Sequence, residues 1–496
     1  MRHILAATFA AAALAGCAVG PDFRQPAAPT MNAYTPAPLP TETTAASGTG
    51  GEAQQFVSGL DIPGQWWVLF HSPALDQLVR QALADNPTLV AAQATLRQAQ
   101  ENLRARVGSA LYPRVDGNAS VARQEVSGAS FGQPQSGNSV FTLYNAAVNV
   151  SYVLDLAGGS RRELEALQAQ VDYQHFQLEG AWLSLTTNLV TAAVQEAALR
   201  AQIRAAREIV AAEEQQLALV EQQFQLGGAS RPDILAQETQ LAQTRATLPP
   251  LEKQLAQTRH LLAVLAGKPP VEGGLLPEFE LSDLQLPREL PVTLPATLVR
   301  QRPDIRAAEE LLHAACAQVG VATANLYPQL TLTGSIGSQA EKVASLFNAG
   351  TAIWSLGAGL AQPIFHGGEL TAKRRAAIAA FDQAEAQYRE TVLLALQNVA
   401  DVLRALEMDA RTLKAQADAE ASARASLDLA REQFHLGAVS YLMMLNAERQ
   451  HQQARLNLAP AQAARQADTA ALFKALGGGW WNREPEGSAG TASKKQ

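Results

Sequence analysis

Gln223-Phe224-Gln225-Leu226-Gly227-Gly228-Ala229-Ser230 is repeated as Gln433-Phe434-His435-Leu436-Gly437-Ala438-Val439-Ser440. In both copies a long run rich in Ala, Gln, Leu, Arg and Glu stops at the first glycine, and a second such run starts at the serine. Gly adopts a positive φ at low cost, so a helix can end there and reverse. The serine offers an N-cap. Arg231-Pro232-Asp233, after Ser230, adds Pro and an acid to the first turn of the returning helix. Each copy reads as the tip of a helical hairpin.

Two more pairs keep the same order. Leu111-Tyr112-Pro113 matches Leu326-Tyr327-Pro328, and Gly158-Gly159 matches Gly367-Gly368. The chain is an internal duplication. The first repeat covers 59–270, with helices over about 86–109, 160–226 and 231–266 and strands over about 113–126 and 140–155. The second covers 271–481, with helices over about 302–325, 368–435 and 441–476 and strands over about 328–340 and 352–364. At 1.5 Å per residue each long helix spans roughly 100 Å. Each long helix is matched in length by two shorter ones laid end to end, as in the wall of a cylinder. Leu164, Leu167, Val171 and Leu178 show the coiled-coil spacing of that wall.

The strands alternate with period two. Leu330, Leu332, Gly334 and Ile336 form one stripe, and Trp354, Leu356, Ala358 and Leu360 another. Val148, Val150, Tyr152 and Leu154 form a third, and Val115, Gly117, Ala119 and Val121 a fainter fourth. An apolar face backed by small and polar residues suits lipid outside and water inside. A sheet on a soluble core has the same pattern. Membrane barrels begin at about eight strands, so four cannot close one and several chains must pool theirs.

The N-terminus places the protein. Met1-Arg2-His3 precedes an apolar run from Ile4 to Ala15, too short to span a bilayer but suited to a signal peptide over 1–16. Leu14-Ala15-Gly16-Cys17 resembles the bacterial lipobox, which implies cleavage before Cys17 and acylation there. Ala18, rather than Asp, implies sorting to the outer membrane. Residues 17–58, rich in Pro, Thr, Ser and Gly, read as a lipidated tether without a core, and 482–496 as a disordered tail.

The formal net charge is −7, or −8 once Arg2 leaves with the signal, which argues against nucleic acid. No later apolar run reaches about 18 residues, so no transmembrane helix is expected, whereas a barrel leaves a weaker signal. Catalysis looks absent, and no metal site is expected. The eight histidines are scattered, and no phosphate loop occurs. Glu213-Glu214 and Glu309-Glu310 read as solvated helix charge. Cys316, between small residues, reads as a packed thiol.

With these elements in place the chain resembles the TolC-like outer-membrane factors. It resembles in particular their lipoprotein branch, the NodT-type outer-membrane lipoproteins of RND efflux systems. The resemblance rests on Cys17-Ala18-Val19-Gly20-Pro21-Asp22-Phe23, on Trp66-Trp67-x-x-Phe70 before Pro73-x-Leu75, and on the paired tips. Ser72 stands where the family usually has Asp. The resemblance implies an α+β membrane protein: a homotrimer with a twelve-stranded barrel, four strands per chain, continuous with a helical coiled-coil periplasmic tunnel. It implies a passive exit duct of a tripartite pump, working with a periplasmic adaptor and an inner-membrane RND pump. The covalent diacylglycerol and N-acyl (palmitate-type) lipid on Cys17 would be its only attached groups. Residues near 59–85 and 270–300 would form an equatorial region.

The family's adaptor-contact tips map onto Leu226, Gly227 and Ser230 and onto Leu436, Gly437 and Ser440. Its periplasmic aperture maps onto Asp233, Met443 and Asn446. The second-repeat aspartates of TolC are absent, and Phe434 and Val439 occupy the positions of its locking Tyr and Arg. Tyr441 is a possible substitute. A closure more apolar and less cation-selective than TolC's is expected. A type I protein-secretion duct and a lipid-anchored periplasmic scaffold are the alternative readings.

Overall fold

The computed structural model describes residues 18–127 and 138–483. The signal peptide and Cys17 lie outside the described residues. The chain divides into two compact units built from interleaved spans. The first falls within Met1–Pro26, Thr95–His175 and Ala307–Arg389. The second falls within Ala27–Ala94, Phe176–Arg306 and Glu390–Gln496.

The helices repeat to the residue. α3 (Gly159–Gln225) and α7 (Glu369–His435) are each 67 residues long. α4 (Arg231–Leu265) and α8 (Tyr441–Ala475) are each 35. Identical lengths follow from identical stop signals. Gly227 and Gly437 have φ of 77° and 72°. Behind them Gly228 N–H bonds Gln223 O and Ala438 N–H bonds Gln433 O, each at 2.8 Å. This six-to-one bond closes a helix at an αL residue. The return helices also share a proline, Pro250 in α4 and Pro460 in α8. Each removes one backbone donor from the helix interior.

Four strands form the sheet of the first unit: β2 (Arg114–Ser127), β3 (Asn138–Leu154), β5 (Gln329–Ala340) and β6 (Ala352–Ala361). All neighbours are antiparallel, in the order β2-β3-β5-β6. The register joins the four apolar stripes into one face: Val115, Val150, Gly334 and Leu356 lie in one row, and Gly117, Val148, Ile336 and Trp354 in the next. Asp116, Asn149, Ser335 and Ser355 form a row on the opposite face. The apolar face packs on no core, since Trp354 is 75% exposed and Leu356 81%. That disposes of a sheet folded on a soluble interior. β2 and β6 end the sheet unpaired among the described residues. The last strand stops at Ala361 rather than near 364, because Pro363 has no N–H for the ladder.

The aromatic core lies in the second unit. Trp66-Trp67-x-x-Phe70 forms one 3-10 turn before α1 (Pro73–Asp85), and α2 (Pro87–Leu111) follows. Trp66 stacks on Phe473 at 5.3 Å, and Trp67 meets Trp182 at 5.3 Å. Trp67 also donates to Asp76. Leu281, Leu284 and Leu298 complete this core, so the segment that follows α4 is built into it. β1 (Gln55–Ser58) pairs in parallel with β4 (Glu289–Val292). α5 (Pro295–Gln301) and α6 (Pro303–Ala324) follow.

The expected tether is a strap rather than a free linker. In the first unit Val19 N–H bonds Ala157 O at 2.9 Å, and Phe23 stacks on His313 at 4.3 Å. The Arg162 guanidinium donates to Asp22 at 2.5 Å and to Glu165 at 2.8 Å. In the second unit Arg465, with no exposed surface, donates to Gly50 O and Thr43 Oγ1. A Pro- and Ser-rich segment has no core of its own, but its backbone carbonyls can satisfy buried cations on another element. The tail begins later than expected for the same kind of reason. Arg483 donates twice to Glu179, at 2.5 and 2.6 Å, and lies over Trp182 at 4.6 Å. Residues 484–496 lie outside the described residues.

One packed pair makes stability pH-dependent. Asp468 on α8 hydrogen-bonds Asp409 on α7, and burial together with that neighbour pushes its carboxyl up to about 7. A raised carboxyl favours the folded state below its ordinary 3.8, and this contribution is lost as pH climbs through 7. Asp468→Asn is expected to raise the thermal midpoint at pH 8 and leave it unchanged at pH 4, as measured by circular dichroism in detergent. An equal shift at both pH values would count against the pair.

Candidate functional site at the hairpin tips

Six of the nine residues expected at the tips fall into three roles. Leu226 and Leu436 crown the two turns, 81% and 79% exposed. Gly227 and Gly437 supply the αL residues that make the turns. Ser230 and Ser440 start the return helices, and the Ser440 hydroxyl accepts from Met443 N–H at 3.4 Å.

Asp233 serves the cap. Its Oδ2 accepts from Ser230 N–H at 2.8 Å and from the Ser230 hydroxyl at 2.5 Å. Those bonds, the hydroxyl's first, hold its carboxyl below the usual range. Met443 and Asn446 are exposed. Asn446 lines a groove of about 560 Å³ between α4 and α8, with Gln240, Gln243, Arg449, Gln450 and Gln453.

Beneath the tips lies a polar cluster that ties the two hairpins together. Tyr441 on α8 donates its hydroxyl to Gln237 Oε1 on α4 at 2.6 Å. Gln237 is buried and donates to Glu213 O on α3 at 3.3 Å. Glu213 Oε1 accepts from Thr244 at 3.0 Å and from Gln240 at 3.2 Å, and Gln240 also donates to Gln452 on α8. Glu448 on α8 accepts from Arg431 on α7 at 3.2 Å. Phe434 packs its ring against Tyr441, centroids 5.8 Å apart. Burial first, and the charges of Glu448, Asp233 and Glu213 with it, push the Tyr441 phenol up to about 12, so it stays a donor.

Sequence reasoning missed most of this cluster. Glu213 was read as solvated charge and is instead wholly buried, while its neighbour Glu214 meets Arg245 at the surface. Glu309 is likewise buried. The overlooked signal is spacing. Ala206, Ile209, Glu213 and Val220 fall at helical intervals on one buried stripe of α3, and Met444, Glu448 and Gln452 do so on α8. A charged residue in an apolar register marks a buried polar site. Cys316 is buried with its thiol pushed up by burial, which leaves it unreactive.

A family model described as outer membrane efflux protein matches residues 78–268 and 294–478. The pyoverdine export outer membrane protein OpmQ of Pseudomonas aeruginosa is 34% identical over 453 residues, covering 90% of this chain and 94% of OpmQ. The probable efflux pump outer membrane protein TtgC of Pseudomonas putida is 29% identical over 485 residues, covering 97% and 96%. Among solved structures, the outer-membrane channel OprN superposes with a TM-score of 0.83 at 29% identity, covering 94% of this chain and all of OprN.

The cap geometry sets an expectation for the first tip. Asp233→Ala removes the acceptor for both Ser230 donors and should cost about 1 kcal/mol of local helix stability. Hydrogen exchange of amides 231–235 should speed up severalfold, while those of 441–445 keep the wild-type rate.

Proposed function

The chain belongs to the outer membrane efflux protein family and resides in the outer membrane, and we propose that it is the passive exit duct of a tripartite, RND-type efflux pump. The observation that carries this reading is the single apolar face running across four strands whose two edges are unpaired among the described residues. Lipid offers no hydrogen bonds, so such edges must be closed by other strands. Three copies would supply twelve strands, with the apolar rows toward lipid and the Asp116–Ser355 row toward water. Energy and cargo choice would reside in the inner-membrane pump, and no catalytic step is assigned to this chain.

A periplasmic adaptor would seat on Leu226, Gly227 and Ser230 and on Leu436, Gly437 and Ser440. The exposed leucines offer apolar contact, and the turns present backbone with little side-chain cover. Asp233, Met443 and Asn446 would border the aperture. The Tyr441–Gln237 bond would hold it shut in place of the lock that Phe434 and Val439 cannot make. Adaptor contact would part the hairpins and widen the mouth. Cys17 would carry the acyl anchor, with the strap fixing where it emerges.

Wild type should run as a heat-modifiable trimer from the membrane fraction, and Trp354→Asp, which puts charge on the lipid face, should deplete that band. In planar bilayers the channel should show weak cation selectivity, and Tyr441→Phe should raise its open probability. Strong selectivity abolished by Met443→Ala but untouched by Asp233→Ala would contradict the aperture assignment. The mature wild-type mass should exceed that of the bare polypeptide by its acyl groups. An unmodified mass would remove the anchor from the proposal.

A further inference from the structure

The cluster beneath the tips buries two carboxyls against one cation. Glu213 belongs to the first hairpin and has no exposed surface; its Oε2 has no partner among the described residues. Glu448 belongs to the second hairpin and is 4% exposed. Its partner Arg431 sits half in solvent. The remaining charged groups around them are already engaged. His451 on α8 pairs with Glu420 on α7 at 3.2 Å. Asp233 on α4 is held in its cap, and Glu214 on α3 meets Arg245 on α4 outside the cluster. Arg449 lines the neighbouring groove.

The charge balance inside is therefore one negative in excess. A buried cluster with excess negative charge takes up a proton instead. We propose that a proton held on Glu448, in the same buried cluster as Glu213 of the other hairpin, locks the two hairpins together, so that the tip is held shut in an acidic periplasm and loosens as pH rises. The inference rests on the reading of the tips as the mouth of the duct. Burial pushes the Glu448 carboxyl up, Arg431 offsets part of the rise, and the Glu213 charge adds to it. In the parted hairpins water reaches the Glu448 carboxyl, and its proton affinity returns to the ordinary range. Closure thus binds the proton more tightly than opening does. The closed state is favoured below the ordinary carboxyl range, and that advantage is lost as pH rises through the raised value.

The two acids come from opposite repeats, so losing the Glu448 proton adds negative charge to the seam that Tyr441 and Gln237 bridge. The amides of Gln240 and Gln452 complete the link without adding charge. The cluster is thereby the one place described at the tips where a single proton changes the attraction between hairpins.

The test records single channels of the purified full-length protein in planar bilayers at pH 5 and pH 8. Each pH unit by which opening weakens proton binding changes the closed-to-open ratio about tenfold. Wild type is expected to show several-fold higher open probability at pH 8. Glu213→Gln and Glu448→Gln should flatten this dependence, while His451→Gln should keep it. A dependence that survives both Gln substitutions, or one that His451→Gln alone abolishes, overturns the proposal. Tyr441→Phe separates the two layers: it should raise open probability at both pH values. If it does so while the Gln variants still follow pH, the mouth reading stands and the proton lock falls; no effect of Tyr441→Phe at either pH fails the mouth reading itself. Hydrogen exchange on wild type needs no variant to fold. Amides 231–245, corrected for intrinsic rate, should be better protected at pH 5 than at pH 8, and equal protection would also sink the idea.

Discussion

An unpaired strand edge is the constraint from which the rest of this molecule follows. The outer edges of β2 and β6 have no neighbouring strand among the described residues. In water such edges invite aggregation, and in hydrocarbon each unsatisfied group costs several kcal/mol. The apolar face sharpens the demand. Leu356 and Trp354 would be a liability on a soluble protein, yet they fall in register with Gly334 and Ile336 on β5 and, beyond it, with Val150 and Val148 on β3. A face that continuous is a designed solvent boundary. The only environment that satisfies both face and edges is a closed barrel in lipid, and one chain does not hold enough strand to close it.

Duplication meets that demand economically. One helix–strand–strand–helix–turn–helix unit, used twice, gives twin helices of 67 residues and twin return helices of 35. The equality is set by local chemistry at the tips, where Gly227 and Gly437 close their helices with the same hydrogen bonds. The two copies differ at their caps. Asp233 caps the first return helix through its own carboxylate, whereas Ser440 caps the second and Met443 faces out. A symmetric pair of tips would offer identical surfaces; these two do not.

Helices, turns and strand stripes were legible in the sequence because each depends on neighbours within a few residues. Period two in 330–336 and 354–360 and Gly at the tips are local signals, whereas the strand reading ran past Pro363. What was not legible is what distant segments do for each other. The strap was misread because its composition says only that it cannot build a core. It says nothing of Arg465, some four hundred residues away, whose guanidinium is satisfied by the strap's carbonyls. Glu213 was misread for a related reason: its neighbour Glu214 is solvated, and charge patterning alone does not say which of two adjacent acids turns inward. The helical register with Ile209 and Val220 held the answer, and it becomes decisive only once a second helix covers that stripe.

If the tips part as proposed, the contents of that stripe bear on how a closed tip would open. An all-leucine seam would hold the hairpins by area alone, and its strength would change little with the state of the periplasm. A polar seam is different. Its bonds are specific in angle and length, so a small displacement of Tyr441 from Gln237 breaks the link rather than stretching it. Once broken, the exposed phenol, amides and carboxyls are well solvated by water, which lowers the energy of the parted state. Buried polar networks thus narrow the gap between two arrangements of the same helices, while the aromatic core around Trp66, Trp67 and Phe473 has no comparable alternative. On the proposed opening, the apolar packing lies where nothing need move and the hydrogen bonds lie where the hairpins would part.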